Sequence, residues 1–481
     1  MNYFLDKDAD FRSVDFLDGR AYGRVDDIEV LDEQNGILII SYNAIIKDNL
    51  HDCGIQRKRD YRLGDPLSSF KINPYEKAVI FRVEIETTAT KEGFKSIEAL
   101  ELSYENSWFN IHILEHGPGT GDAKIYTNLF APPIDAKVEM TKIKTSHQKK
   151  LNAEFSLATA DTISPSQLQQ ELARRVPSAD YLAVYDVGQG NANGLITSSN
   201  ETCPVIYFDM GSGIGAHAST APPDLAFCTC NSPLVILSHW DQDHWAGALH
   251  IKSQALALTW VVPRQQLDAA HKSFAHEVIS AGGRLLVLDM PQDTVGLSTL
   301  ANNQIMKFTL GIGTSRNNSG IVLAIENNDS YFPSSWLLTG DCAYTHFPNA
   351  FKYSPPVAVV APHHGGVTNR KNIAPSPATH NGYRRLIYSY GPDNKFRMVR
   401  HPTSSSVDVH RLAGWDMGYW NSAPGDSSST GNVRATSKHS PSPFERGGVL
   451  VGWESLPALP ASCALVCCFR NNLPMTCNLS S

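Results

Sequence analysis

The sequence has little of two features that would decide its class. It has no excess of basic residues: 41 Lys and Arg stand against 48 Asp and Glu among 481 residues. The net charge of −7 therefore provides no whole-chain field for nucleic acid. Nine cysteines, an odd number, are too few for a disulfide framework and indicate a reducing compartment. The CTC of Cys228 and Cys230 lacks paired CxxC spacing, which favours buried thiols over a zinc ribbon.

Long hydrophobic runs are also missing. The longest apolar stretch near the C-terminus, residues 456–469, contains two prolines and falls short of the roughly 20 residues that span a bilayer. The N-terminal MNYFLDKDADF is acidic and has no apolar core of signal-peptide length. We therefore expect a soluble, cytoplasmic protein without a membrane partner.

What is present is an ordinary globular composition, with 42% hydrophobic and 19% charged residues. The length predicts two to four domains. Residues 1–150 alternate apolar and polar positions over 36–46, 77–88 and 108–116, which is typical of half-buried strands. We predict a β-rich N-terminal domain. Its role is not indicated, and a surface for a protein partner is one possibility.

The pattern changes in the second part of the chain. Residues 151–178 are predicted to be a linker with a short helix, for which Ser164 is the N-cap and Pro165 the first helical residue. In the domain predicted over 179–481, short apolar strands each end in a loop rich in Gly, Asp, His or Asn, and a helix is predicted over 267–283. Nearly continuous apolar strands are typical of sheets buried on both faces, so we predict α/β layers.

Four side chains of the metal-ligand type follow one predicted strand. The segment SHWDQDHWAG (238–247) comes directly after PLVIL and contains His239, Asp241, Asp243 and His244. A solvated acidic loop is one interpretation. Such groups beside a buried strand are costly to desolvate unless a cation neutralises them, which favours a metal site.

Two later segments end strands in the same way. LLTGD ends in Asp341, and VAVVAPHHGG contains His363 and His364. A lone TGD is more often a turn. The three segments together, each at the carboxyl end of an apolar strand, predict a metal centre.

Seven motifs between residues 180 and 455 resemble the metallo-β-lactamase superfamily, and most closely the soluble domain of the ComEC/Rec2 competence proteins. The motifs are DVGQGNANGLI (186–196), FDMGSG (208–213), SHWDQDHWAG (238–247), NSGIVL (318–323), LTGD (338–341), APHHGG (361–366) and RHP with VDVHRLAGW (400–402, 407–415). The superfamily's HxHxDH is matched with an Asp in the second His position. The resemblance implies an α/β fold, an αββα sandwich that here follows the β-rich domain, and a metal-dependent hydrolase. The competence proteins are membrane channels, so DNA uptake is not implied.

The resemblance also implies individual roles. His239 and Asp241 would hold a first divalent ion, Asp243 and His244 a second, and Asp341 would bridge them. The ions would be Zn²⁺ or Mn²⁺, with a single ion also possible. An Asp in place of a His hardens the site and makes Mn²⁺ more plausible.

The His-His pair and one carboxylate carry the expected chemistry. Of the pair, His363 is the expected metal ligand, while His364 would contact the substrate or act as a general acid. Asp243 and His364 are the expected catalytic residues, because metal-activated water needs no Ser or Cys nucleophile.

Further residues are expected behind the ligands or beside the substrate: Asp186, Asn191, Asp209, Asn318, Ser319 and His401. Asp186 and Asp209 precede glycines at strand ends and would orient ligands or cap turns. Asn191 occupies a position where the family usually has Asp. The family's isolated His before the TGD is not evident, which leaves Asn318, Ser319 or a water near the first ion.

Residues 370–411 carry a net charge of +6, with Arg397 and Arg400 among the basic side chains. The segment is either a solvated face or a rim that grips phosphates. Tyr388 and Tyr390 within it would stack on bases or face the core of a strand.

These features together predict a metal-dependent phosphodiesterase or nuclease acting on nucleic acid. By analogy of architecture, such a chain would be a bacterial defence effector. A hydrolase of a small ester, thioester or lactone is the alternative within the same fold. A non-catalytic, metal-stabilised binding module is the third possibility.

Overall fold

The computed structural model describes most of the chain as a mixed α/β structure, in which a closed barrel precedes two stacked sheets. The described residues are 1–9, 20–32, 35–60, 66–70, 72–88, 105, 107–197, 203–328, 332–367, 373–380, 382–391, 401–418, 431–436 and 448–455. No helix within these ranges is long and apolar enough to cross a membrane. The apolar run at 456–469 lies outside the described residues.

Six antiparallel strands form the barrel. They are β1 (Arg20–Asp32), β2 (Ile37–Ile46), β3 (Ile80–Thr88), β4 (Trp108–His116), β5 (Ala123–Tyr126) and β6 (Ile134–Lys142). They pair in the order β1-β2-β3-β5-β6-β4 and back to β1, which leaves no open sheet edge. Side chains such as Ile40, Val83 and Ile111 fill the interior. The three predicted runs become β2, β3 and β4, so the prediction of a β-rich N-terminal region is confirmed.

Six helices with defined bounds accompany the strands in the described part of the chain. They are α1 (Lys47–Asp60), α2 (Thr145–Glu154), α3 (Pro165–Arg175), α4 (Lys252–Ala255), α5 (Ala269–Ser280) and α6 (Ser404–Leu412). The helix predicted after Ser164 is α3. Its N-terminus is a capping box, in which the Ser164 hydroxyl accepts from the Gln167 amide and the Gln167 side chain accepts from the Ser164 amide.

Two mixed sheets follow the barrel. The first has the spatial order β21 (Val449–Val451), β8 (Tyr181–Val184), β9 (Ala192–Ile196), β10 (Ile206–Met210), β11 (Leu234–Ile236), β12 (Thr259–Val262), β13 (Arg284–Leu288), β7 (Asp161–Ile163). The second has the order β14 (Val295–Thr299), β15 (Gln304–Leu310), β16 (Ile321–Asn327), β17 (Ser334–Leu338), β18 (Pro356–Val360), β19 (Arg385–Tyr388), β20 (Val433–Ala435). β7 lies within the predicted linker and pairs with β13, so part of that segment is a sheet edge.

The two sheets stack face to face with helices on their outer sides. Inward side chains of both sheets, such as Ile236 and Phe308, share one core. The outer face of the first sheet packs on α5, and the outer face of the second packs on α6. Helices therefore cover the outer sides of both sheets, which is an α/β arrangement.

The barrel and the sandwich share a hydrophobic core. Phe4, Trp108 and Phe155 from the N-terminal region belong to the same buried cluster as Trp245 and Phe274. A continuous apolar interface of this kind holds two parts of a chain in one arrangement, whereas polar interfaces permit domain motion. We therefore treat the barrel as a fixed neighbour of the sandwich.

A buried ionic junction lies beside this core. Asp26 on β1 is 1% exposed and pairs with the Arg82 guanidinium. The His271 Nε2 lies 3.0 Å from its Oδ1, and Arg316 donates to its backbone oxygen at 2.9 Å. Burial opposes ionisation, but these cations lower the pKa of Asp26 to about 2. One carboxylate thus balances charges from both parts of the chain.

Asp26→Ala should strongly destabilise the protein, because it leaves buried guanidinium groups without their shared carboxylate. The cost of breaking a buried pair is about 3–5 kcal/mol, and urea denaturation measures it. The matched control is Asp8→Ala, which breaks a contact to Lys252 whose Asp side is 66% exposed; this should cost below about 1 kcal/mol. Equal urea-denaturation midpoints for the two variants would show that the Asp26 junction stabilises the protein no more than the exposed pair does.

Candidate metal centre

The candidate ligands meet where three strands end. β11 leads into the loop with His239, Asp241, Asp243 and His244, while β17 and β18 lead to Asp341 and to the His363–His364 turn respectively. β11 belongs to the first sheet and the other two strands to the second. Stacking of the sheets therefore brings three distant segments to one edge, where loops rather than ladders position side chains.

Two overlapping groups of ligand atoms form there. Each group has its ligand atoms within 4.8 Å of one another. The first group is His239, His244 and Asp341. The second group is Asp243, His244 and His364. Four of the six residues expected to hold metal are members of these groups, and the other two lie beside them. Asp241 Oδ2 is 3.2 Å from His239 Nε2, and His363 Nδ1 is 3.0 Å from Asp341 Oδ2.

Two of the imidazoles are oriented from behind by the same carboxylate. His244 Nδ1 lies 2.9 Å from Asp209 Oδ2, so this nitrogen donates. The Ser238 hydroxyl donates to Asp209 Oδ2 at 2.8 Å and therefore accepts from His239 Nδ1 at 2.9 Å. Both rings consequently present a bare Nε2 to the site, which is the arrangement that metal-binding histidines have.

His364 is oriented in the same way by the backbone. Its Nδ1 donates to the Ser389 carbonyl oxygen at 2.9 Å. The Nε2 atoms of His239, His244 and His364 are buried and have no hydrogen-bond partner. Carboxylate oxygens lie 2.8–3.2 Å from them but off the direction of a hydrogen bond, so lone pairs of both kinds point at common positions.

Charge in this cluster is concentrated and buried. Burial alone would raise the pKa of Asp341, but the imidazoles of His244 and His364 hold it well below its usual range. Burial would lower the pKa of His244, but Asp341, Asp243 and Asp209 raise it well above its usual value. Without metal, a proton on His244 Nε2 would balance the carboxylates, and a bound cation would displace that proton and leave the nitrogen bare.

The His-His turn distinguishes the two histidines. Both have left-handed backbones, with φ of 52° for His363 and 55° for His364, which is uncommon for residues with a Cβ and marks functional turns. The Nδ1 of His363 lies 3.0 Å from Asp341 Oδ2, and its amide donates to Oδ1 at 3.1 Å. His363 thus holds Asp341 in place, whereas His364 presents its Nε2 to the ligand groups. The geometry favours exchanging the roles expected from sequence.

Position 211, directly after β10, must be glycine because the loop that contains Asp243 passes close to it. A Cβ on Gly211 would lie 1.8 Å from the Asp243 carbonyl oxygen and 2.6 Å from that of Asn191. The Asn191 amide donates to the same Asp243 oxygen at 3.2 Å, and its side chain donates to Asp209 at 3.1 Å. Asn191 therefore ties the Asp243 loop to the carboxylate behind the histidines.

Asn318 and Ser319, which were expected near the first ion, use their side chains for other hydrogen bonds. Asn318 Oδ1 accepts from the Ala343 amide at 3.0 Å, and the Ser319 hydroxyl accepts from Gln265 at 2.9 Å. The adjacent Arg316 reaches the site instead.

Arg316 is a functional residue that the sequence did not reveal. Its NH1 donates to Asp241 Oδ1 at 2.7 Å and to the backbone oxygen of Asp26. Burial alone would raise the pKa of Asp241, but Arg316 and His239 hold it below its usual value. The only signal was an Arg two residues before NSGIVL, and its spacing does not show which way the side chain turns.

The other predicted residues have distinct places. Asp186 accepts from the Gly188 amide at 3.2 Å and caps a turn. His401 is buried, lies 3.3 Å from Gln189 Nε2, and has its pKa lowered to about 3 by burial. Tyr388 and Tyr390 are fully buried, so they face the core. Arg397 and Arg400 lie outside the described residues.

The barrel forms the opposite wall of the site. One cavity is lined by Asp241, Asp243, Asp341 and both histidines of the turn, and by four barrel carboxylates. Those carboxylates are Asp26, Asp27, Glu29 and Glu84. The cavity has about 40 Å³ open to water molecules, which is room for a few waters. Sequence reasoning missed this wall, because alternation in a strand does not show what its outer face touches.

A second ion pair joins the wall to the sandwich. His217 Nε2 lies 3.1 Å from Glu29 Oε2, and both side chains are largely buried. Burial would lower the pKa of His217, but Glu29 raises it above its usual value of 6.5. Burial would raise the pKa of Glu29, but His217 and the other histidines lower it to about 2.

Substitution of the two histidines of the turn should affect metal binding differently. His364→Ala removes an Nε2 from a ligand group and should lose at least one equivalent of bound Zn²⁺ or Mn²⁺ per chain. The matched His363→Gln should retain its metal, because it keeps a group near Asp341 that can donate. Elemental analysis after dialysis measures both, and the opposite pattern would restore the assignment made from sequence.

The His217–Glu29 pair should make stability depend on pH. The raised pKa of His217 contributes stability fully below pH 6.5, and this is lost as the pH rises through the folded value. The lowered pKa of Glu29 contributes above pH 4.5 and is lost toward pH 2. His217→Gln should therefore lower Tm more at about pH 5.5 than at about pH 8.5. A pH-independent difference in Tm would contradict the pairing.

No family model and no curated protein matches the chain. Among solved structures it is similar to MEM-A1, a subclass B3 metallo-β-lactamase isolated from a soil metagenome library. The two share 12% sequence identity with a TM-score of 0.22, and the match covers 41% of this chain and 82% of that chain. A similarity this distant assigns neither fold nor substrate, so the function must be argued from the described residues.

Proposed function

We propose that the chain is a metal-dependent hydrolase of the metallo-β-lactamase type. The observation that carries the proposal is the convergence of three buried imidazole Nε2 atoms, none with a hydrogen-bond partner, beside carboxylates at the strand ends. Each unpaired buried polar group costs about 1–3 kcal/mol, so three together in a neutral core would be expensive. Divalent cations bound among these nitrogens and carboxylates would satisfy them.

The donors fit two neighbouring metal positions of unequal affinity. The stronger position would have four ligands, Asp243, His244, His364 and Asp341. The weaker one would use His239, Asp341 and Asp241, but the Arg316 guanidinium already takes Asp241 Oδ1. Mixed imidazole and carboxylate donors suit Zn²⁺ and Mn²⁺. Occupancy by a single ion is therefore favoured when metal is scarce.

A divalent cation held here would lower the pKa of a coordinated water toward neutrality and would stabilise negative charge on the scissile group. The protein's own residues keep the ligands in place. Asp209 and Ser238 fix the rings of His239 and His244. His363 holds Asp341 through its amide and its ring. Substitution of Asp209, Ser238 or His363 should therefore misplace a ligand without removing one.

We propose a phosphodiester in nucleic acid as the substrate. The resemblance to the competence-protein domain and the charge of +6 in residues 370–411 support it. Of the described basic residues in that segment, Arg411 pairs with Asp408 and Arg385 stacks on Tyr383, so phosphate binding would depend on Arg397, Arg400 and their neighbours.

The barrel wall restricts how such a substrate approaches. A fixed wall across a narrow cavity admits a strand end or a single strand more readily than the middle of a duplex. The barrel would thus contribute part of the active site, in addition to any partner surface on its outer face.

The same narrow cavity favours a second candidate, hydrolysis of a small ester, thioester or lactone. Metal-activated water attacks a carbonyl as readily as a phosphoryl group. The small volume open to water beside the ligands favours this candidate, while the basic segment argues for the first.

A cleavage assay tests both candidates. Labelled single-stranded DNA, duplex DNA, RNA and a lactone are incubated with the full chain and Mn²⁺, Zn²⁺ or EDTA. We expect metal-dependent cleavage of single strands from an end, with slower cleavage of blunt duplex. Asp243→Ala should reduce the rate at least 100-fold, because it removes a ligand at the stronger position.

Two controls interpret this assay. Asp408→Asn, which removes an exposed carboxylate, should leave the rate unchanged. Arg397→Glu with Arg400→Glu should weaken single-strand binding and its salt dependence without affecting lactone cleavage. Cleavage of the lactone alone would establish the second candidate. Metal binding without turnover of any substrate would contradict the hydrolase proposal and leave a binding module.

A further inference from the structure

Three cysteines converge at the edge of the first sheet that lies opposite the candidate metal centre. Cys203 precedes β10, and Cys228 and Cys230 precede β11. β10 and β11 are parallel neighbours, with Ile206 opposite Leu234, so the chain segments before them meet at the amino ends of the strands. The ligands of the metal centre follow the carboxyl ends. The two sites are therefore independent in position.

The three sulfur atoms are close enough to share one ion. Their Sγ atoms all lie within 4.8 Å of one another, and the described cysteines are thiols rather than disulfides. Four sulfurs around a tetrahedral zinc at about 2.3 Å would be separated by about 3.8 Å. Small side-chain rotations would therefore bring the three into contact with one ion.

The surrounding residues hold the two cysteine segments together. The Tyr207 hydroxyl donates to the Cys228 carbonyl oxygen at 3.0 Å, and Asn231 Nδ2 donates to the Cys203 carbonyl oxygen at 3.4 Å. Cys203 and Cys228 are 2% and 7% exposed, whereas Cys230 is half-buried. The sulfur cluster is thus mostly shielded but can be reached from solvent on the Cys230 side.

We propose that Cys203, Cys228 and Cys230 bind a structural Zn²⁺ ion, with a water from the Cys230 side as the fourth ligand. The ligand group contains sulfur alone, which selects soft and borderline cations and disfavours Mg²⁺ or Mn²⁺. A disulfide would join two of the sulfurs and would not account for the third. The ion would cross-link the segments that lead into two central strands of the first sheet.

Cobalt titration of the full chain under reducing conditions tests the proposal. Thiolate ligands give Co²⁺ an intense charge-transfer absorption, and the two ligand groups of the candidate metal centre contain no thiol. The band therefore reports Co²⁺ bound by cysteine, and the variants below show which cysteines bind it. We expect the band to saturate at one equivalent per chain and to disappear when Zn²⁺ is added. Absence of the band in the wild-type chain would overturn the proposal without affecting the proposed hydrolase.

Variants assign the band to these cysteines. Cys230→Ser, at the half-buried position, should weaken Co²⁺ binding at least tenfold, and the Cys203/Cys228/Cys230 triple Ser variant should lose the band and one equivalent of zinc. Cys53→Ser and His364→Ala should keep the band, because neither residue belongs to the group. A band that persists in the triple variant would overturn the proposal. So would a Cys203 disulfide to Cys228 or Cys230, found by mass spectrometry of chain purified without reductant.

Discussion

The concentration of buried carboxylates beneath the barrel is the constraint on which the rest of the structure depends. Among the described residues, seven line a single cavity: Asp26, Asp27, Glu29, Glu84, Asp241, Asp243 and Asp341. A buried charge costs several kcal/mol unless it is compensated. Guanidinium groups of Arg82 and Arg316 compensate Asp26 on the barrel side, and imidazoles with bare nitrogens would leave other carboxylates to a cation. The ion pairs at the interface and the candidate metal centre are therefore two ways of compensating the same buried negative charge.

Arg316 connects the interface ion pairs to the candidate metal centre. It contacts Asp241 at the metal centre and Asp26 in the barrel, so the charge on one side influences the other. The Arg316 guanidinium gives Asp241 a permanent cation as its neighbour. This favours a metal ion at the position formed by Asp243, His244 and His364 over one at the position formed by His239 and Asp241.

The sequence located the candidate metal centre because the candidate ligands follow buried strands, and strand ends of stacked sheets meet at one edge. It also located β2, β3, β4 and α3, whose patterns are local. It could not choose between His363 and His364, because a left-handed turn decides which ring enters the site. Closure of the barrel, the turn of Arg316 and the wall formed by Glu29 depend on contacts between residues far apart in sequence, which periodicity does not encode.

The shared core has a consequence for how the chain is made. Phe4, Trp108 and Phe155 lie in the part that leaves the ribosome first, but they are buried against Trp245 and Phe274, which are synthesised about a hundred residues later. Domains generally fold as units during synthesis, and exposed apolar surface makes intermediates prone to aggregation. The newly made barrel therefore exposes an apolar face until Trp245 and Phe274 have been synthesised. Chaperone binding to nascent chains should be strongest during this part of translation.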